Sequence, residues 1–117
     1  MASTVNITDF HKNENVTFVF EGRDELDAAL TSPETYTPYM TIAFAEGADP
    51  ILTFTGSPNF VYDANSNWDA FLSVADLTSI PEGRDAYYNI WLRPAVGQEH
   101  LQVKGVLKLL KSIGLLV

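Results

Sequence analysis

Residues 63–69 place oxygen-bearing side chains at every second position: Asp63, Asn65, Asn67 and Asp69. A hard cation such as calcium needs six to eight oxygen ligands, and a calcium loop begins with this spacing. The run departs from such a loop at its sixth position, Trp68, where a Gly makes the sharp turn. It departs again at its twelfth, Val74, where a bidentate Glu belongs. Asx side chains also form turns by bonding their own backbone, so the run reads either as a weak cation site or as a plain turn, with no metal expected. For acid–base work near neutral pH the chain offers His11 and His100. Neither sits in a nucleophile, zinc or phosphate-loop motif. The expectation is a protein without catalytic residues and without a cofactor.

The aromatic residues offer binding rather than catalysis. Tyr36, Tyr39, Trp68, Tyr87 and Trp91 could stack on sugar rings, pack in a core, or anchor a protein interface. Tyr87 and Trp91 are singled out by position. Along residues 86–93, Tyr88, Ile90 and Leu92 fall on one face of a strand and Tyr87, Asn89, Trp91 and Arg93 on the other. The mixed face is a candidate for contact with a partner, protein before sugar. A second candidate surface is the apolar segment 113–117, with Ile113, Leu115 and Leu116. It either tucks onto its own core or docks on a neighbouring subunit.

The 117 residues suffice for one domain, and no cysteine is present to build a disulfide, a thiolate metal site or a thiol nucleophile. The formal net charge is −8. Residues 1–99 hold every acid, while residues 100–117 hold Lys104, Lys108 and Lys111 and no acid. An acidic body argues against nucleic acid as a partner, because phosphate binding needs a basic surface. No apolar run approaches the length of a membrane span, and residues 1–12 lack the pattern of a signal peptide.

Short alternating segments position these residues. Strands are expected at 3–8, 16–20, 39–45, 51–55, 59–63, 68–74 and 86–93, punctuated by Gly, Pro, Asn and Asp. Residues 24–30 suit one or two helical turns with Leu26 and Leu30 on one side. Residues 31–38, with two prolines, suit a loop. Asp76, Leu77, Thr78 and Ile80 suit a single helical turn, broken by Pro81 and Gly83. The last segment, 100–111, alternates like a strand; a helix over 104–113 also fits its apolar spacing, at the cost of burying Gly105 in it. Seven or eight strands with one short helical turn predict an all-β, antiparallel sandwich.

The order of these features resembles a known family. An apolar strand, then D-L-T-x-x-I-P-x-G, a Tyr-rich strand, a turn and a closing strand with K-G-V-L is similar to the small immunoglobulin-like sandwich of tailed-phage virion proteins. That sandwich occurs in the N-terminal domain of baseplate upper proteins and in small minor capsid or head-fibre proteins. The matching residues are Leu77, Ile80, Pro81, Gly83, Tyr88, Ile90, Leu92, Gly105, Val106 and Leu107. The resemblance spans about residues 16–111, and departs at 22–38, where the family often has a Gly/Asp turn. It implies a non-enzymatic capsid decoration or minor capsid protein, or else a tail baseplate or head–tail adaptor. The implied partners are other virion proteins, in a multi-copy or homo-oligomeric assembly built in the host cytoplasm. A carbohydrate-binding module is the reading that Tyr87 and Trp91 would support instead.

Overall fold

The computed structural model describes residues 3–11, 14–24, 26, 28–30, 32–63 and 67–110. Among these residues, eight strands form two sheets. The strands are β1 (Ser3–Thr4), β2 (Val16–Glu21), β3 (Thr37–Ala43), β4 (Leu52–Thr55), β5 (Phe60–Tyr62), β6 (Asn67–Leu72), β7 (Ala86–Arg93) and β8 (His100–Leu107). The larger sheet has the order β1-β8-β7-β3-β4, the smaller β2-β6-β5. The expected all-β sandwich is therefore what forms, because the longer strands each carry one apolar face that only a second sheet can cover.

The core is read directly from the alternation. Met40 and Ile42 on β3, Tyr88, Ile90 and Leu92 on β7, and Val103 and Leu107 on β8 point inward from the larger sheet. Val16 and Phe20, Trp68, Ala70 and Leu72, and Phe60 answer them from the smaller one. The 76–80 turn contributes Leu77 and Ile80, both fully buried. It is a short 3-10 turn, Ala75–Leu77, whose start is fixed reciprocally. Ser73 N–H donates to the Asp76 carboxylate at 2.9 Å, and Asp76 N–H donates to Ser73 Oγ at 3.1 Å. Asn59, buried in the same corner, donates to Asp76 and to the Phe71 carbonyl, each at 3.0 Å. Gly83 ends the turn at φ +72°, a value open to glycine.

Four local expectations change. The 24–30 segment is not helical among its described residues. Asp24 Oδ1 accepts from Leu26 and Ala28 N–H, an Asx-type closure, and Arg23 bridges Ala29, leaving Leu26 88% exposed while Leu30 is buried. The 31–38 loop holds a second 3-10 turn, Pro33–Thr35, and gives its last two residues to β3. The first strand is short and pairs with β8 in parallel, Ser3 opposite Val103, with bridges continuing at Ile7–Leu107 and His11–Leu110. The final segment is a strand, as its alternation indicates, but it ends at Leu107 rather than 111. Residues 113–117 lie outside the described residues.

One bulge shapes β8. Trp91 pairs Leu101 while Ile90 pairs Val103, so Gln102 is the extra residue. Its buried amide is turned inward. It accepts from Arg23 N–H at 2.7 Å and donates to the Arg23 carbonyl at 2.8 Å and to the His100 carbonyl at 3.1 Å. A side chain thus completes the backbone pairing at the end of β2.

Candidate aromatic face on the five-stranded sheet

The smaller sheet covers one face of the larger. The opposite face carries the alternate residues of β8, β7, β3 and β4. Register places them in rows across the strands: Leu101–Trp91–Tyr39–Thr55, then Lys104–Asn89–Thr41–Thr53, then Val106–Tyr87–Ala43. Tyr87, Trp91 and Tyr39 are each half-buried. The strand pattern that separated Tyr87 and Trp91 from Tyr88, Ile90 and Leu92 is the pattern observed, and the two side chains share one face.

Tyr39 and Trp91 are cross-strand neighbours whose rings lie 6.4 Å apart and within 11° of parallel. The Arg93 guanidinium sits 4.6 Å above the Tyr39 ring, a cation–π contact. Glu99 ties the group together. It accepts from Arg93 Nε at 2.9 Å and from the Tyr39 hydroxyl. Burial raises the Tyr39 phenol above its ordinary pKa, and the hydrogen bond to Glu99 adds to this. The Glu99 carboxyl is lowered, first by the Tyr39 hydrogen bond and also by Arg93. Arg93 is raised by its interactions with Tyr39 and Glu99. The four side chains form a fixed, half-exposed platform.

Beside it lies a groove of about 260 Å³. Tyr87, Asn89, Thr41, Lys104, Asn6 and Glu46 are among the residues that line it. This arrangement can hydrogen-bond and stack. It contains no nucleophile–base pair.

The other sequence candidates fall elsewhere. Asn67 and Asp69 stand on the outer face of β6, with Asp69 opposite Val19 and Val61, while Asp63 N–H donates to the Asn67 carbonyl to close a hairpin. Asn65 lies outside the described residues, as do Ile113, Leu115 and Leu116. Among the described residues no three His, Cys, Asp or Glu side chains gather as metal ligands, and no helix is long and apolar enough to cross a membrane. Trp68 leaves the set of possible stacking residues, since it is buried in the core with its ring edge-on to Tyr62 at 5.1 Å. Tyr36 packs beside His100. Tyr39, Arg93 and Glu99 were not grouped by sequence reasoning. Their signal is register: Tyr39 is out of phase with Met40 and Ile42, as Trp91 is with Ile90 and Leu92.

Comparison with protein-family models finds no match to this chain, and comparison with curated proteins finds none either. The resemblance to virion proteins rests on the quoted residues alone, and neither comparison adds to it.

Proposed function

We propose that this protein is a non-enzymatic structural component of a tailed-phage particle, with an immunoglobulin-like sandwich. It acts as a capsid decoration or minor capsid protein, present in many copies, that docks on other shell proteins through the outer face of its five-stranded sheet. A baseplate or head–tail position would use the same face. The observation that carries this reading is the Tyr39–Trp91 stack braced by Arg93 and Glu99. Trp, Tyr and Arg dominate the energetics of protein interfaces, and side chains already held in place lose less entropy on binding. The acidic body, −8 overall, suits a protein partner rather than nucleic acid.

The test is co-sedimentation with particles purified from cells expressing the gene together with its genomic neighbours. The wild-type chain is expected to pellet with particles, and the Tyr87→Ala/Trp91→Ala variant to stay in the supernatant. A wild-type chain that never pellets refutes the reading.

A second reading, a saccharide-binding module, is favoured by one specific feature. The polar row Lys104–Asn89–Thr41 lies between Tyr87 and Trp91, about 13 Å apart at the ~3.3 Å rise of a strand. A glycan array distinguishes it: binding lost in Asn89→Ala would support the sugar reading, and no binding by the wild type would end it.

A further inference from the structure

The two sheets leave one seam open. The free edge of β2 faces the β1–β8 edge of the larger sheet across a groove of about 270 Å³. Val5, Phe18, Val19, Phe20 and Val103 line it, and the Gln102–Arg23 pairing closes one end. Val5 and Val19 stand on its rims at 42% and 60% exposure. Among the described residues β2 pairs on one side only, with β6. Alternate residues of an edge strand turn their N–H and C=O groups away from the sheet. Edge strands are usually blunted by Lys, Pro, a bulge or shortness. β2 has six residues with none of these, and its single charge, Glu21, is at the end and paired with Arg23. An open edge beside an apolar trough is the geometry that accepts an added strand.

We propose that the added strand is residues 113–117 of a second copy of this chain. Ile113-Gly114-Leu115-Leu116-Val117 carries no polar side chain. Apolar at every position with a side chain, it suits a strand with one face in the trough against Phe18 and Val103 and the other beside Val19. At ~3.3 Å per residue it spans about 17 Å, close to the ~20 Å of β2. Reach favours a second copy over the same chain. Leu110 N–H is tied to the Phe10 carbonyl at 2.9 Å, at the far end from Val103. Returning from residue 110 to the level of 103 covers about 23 Å, and residues 111–117 fully extended cover the same, leaving nothing for the reversal. Each copy then offers one strand and one edge, a heterologous contact that closes as a reciprocal pair or continues as a chain. The inference uses a different surface from the aromatic face and stands whatever that face binds.

The absence of native cysteine makes single thiols clean reporters. Val19→Cys protein is mixed with Leu115→Cys or with Leu116→Cys protein under mild oxidation. Neighbouring tail positions point to opposite faces of a strand, so one of the two mixtures is expected to cross-link and the other not. Docking raises effective concentration to about millimolar, so at ~10 μM protein the mixed disulfide should form about a hundredfold faster than with a Val96→Cys control. Deleting 113–117 should reduce the mass seen by light scattering to that of a monomer while the circular dichroism spectrum is kept. Cross-linking at the control rate overturns the proposal, as does a full-length chain that stays monomeric. So does an intramolecular disulfide in the Val19→Cys/Leu115→Cys double variant without mixed dimers, which would place the tail on its own edge. Val19→Cys alone dimerising as fast as the mixture would mean that two β2 edges meet directly, and would also overturn it.

Discussion

Adding one methyl group at Gly105 should cost more stability than any surface change on this protein. An ideal Cβ there would stand 1.9 Å from the Val5 carbonyl oxygen and 2.7 Å from its carbonyl carbon. Both are backbone atoms, so no change of rotamer relieves the overlap. To restore even a 3.0 Å contact the N-terminal segment must withdraw by about 1 Å. That segment is held by Val5 N–H to the Lys104 carbonyl at 2.9 Å, Ile7 N–H to the Val106 carbonyl at 2.8 Å, and Val106 N–H to Asn6 Oδ1 at 3.0 Å. It also receives the hydroxyl of Tyr88, which reaches the Val5 carbonyl at 2.7 Å from a ring wholly within the core. Withdrawing Val5 strands that hydroxyl, at a cost of about 1–3 kcal/mol. Forcing extra volume into a packed site costs a further ~1–3 kcal/mol. The total, about 2–6 kcal/mol, is a large share of the ~5–15 kcal/mol typical of a domain. The melting temperature of Gly105→Ala should fall on the order of 10–25 °C. Thermal unfolding followed by circular dichroism measures the shift, and urea unfolding the free energy. Tyr88→Phe should cost about 1–3 kcal/mol alone, and the double variant less than the sum, because both act on Val5. A Gly105→Ala protein within about 0.5 kcal/mol of wild type, or strict additivity with Tyr88→Phe, refutes the reasoning.

Three more outcomes follow from the same geometry. Burial raises the folded pKa of Tyr88 well above the ~10 of an unfolded tyrosine, and burial with the Glu99 hydrogen bond raises that of Tyr39. Their contribution to stability is present in full below about pH 10 and is lost as pH rises toward the folded values; near-ultraviolet absorbance should show these phenolates only as the chain unfolds, and reversible ionisation of Tyr88 near pH 10 in folded protein would contradict this. Gln102→Ala should cost about 1–3 kcal/mol by leaving the Arg23 N–H and carbonyl without their partner, and amide exchange at Arg23 should quicken; unchanged exchange would count against it. Trp68 Nε1 is buried with no hydrogen-bond partner among the described residues, so Trp68→Phe should stay within about 1 kcal/mol of wild type despite the lost ring volume; a loss beyond about 3 kcal/mol would show that packing dominates.

Much of this architecture was legible because alternation is a local signal. Val16, Phe18 and Phe20, or Tyr88, Ile90 and Leu92, declare an inner face without reference to any other strand. The Tyr87–Trp91 face follows by the same parity. What the sequence could not disclose depends on pairs distant in the chain. Gly105 read as a residue that disfavours a helix, and its actual role is to let the Val5 backbone lie against it. The Tyr88 hydroxyl finds its partner on the backbone of the distant Val5, which no local pattern announces. The parallel pairing of β1 has no local signature, since two residues carry no period. Leu26 and Leu30 had helical spacing, but the Asx closure by Asp24 satisfied the backbone locally and left Leu26 in solvent. Glu99 belongs to no periodic segment, and only the fold of the connection between β7 and β8 brings it onto Tyr39 and Arg93.

The aromatic face is the centre of the functional account, and a pull-down against assembled particles tests it most directly. Particles purified from cells expressing the gene with its genomic neighbours are sedimented with wild-type chain, with Tyr87→Ala/Trp91→Ala, and with Val61→Ala on the exposed face of the smaller sheet. Wild type and Val61→Ala should pellet alike and the aromatic variant should remain in solution with its fold intact. If the folded aromatic variant pellets as fully as wild type, the Tyr87–Trp91 face is not where this protein meets its partner.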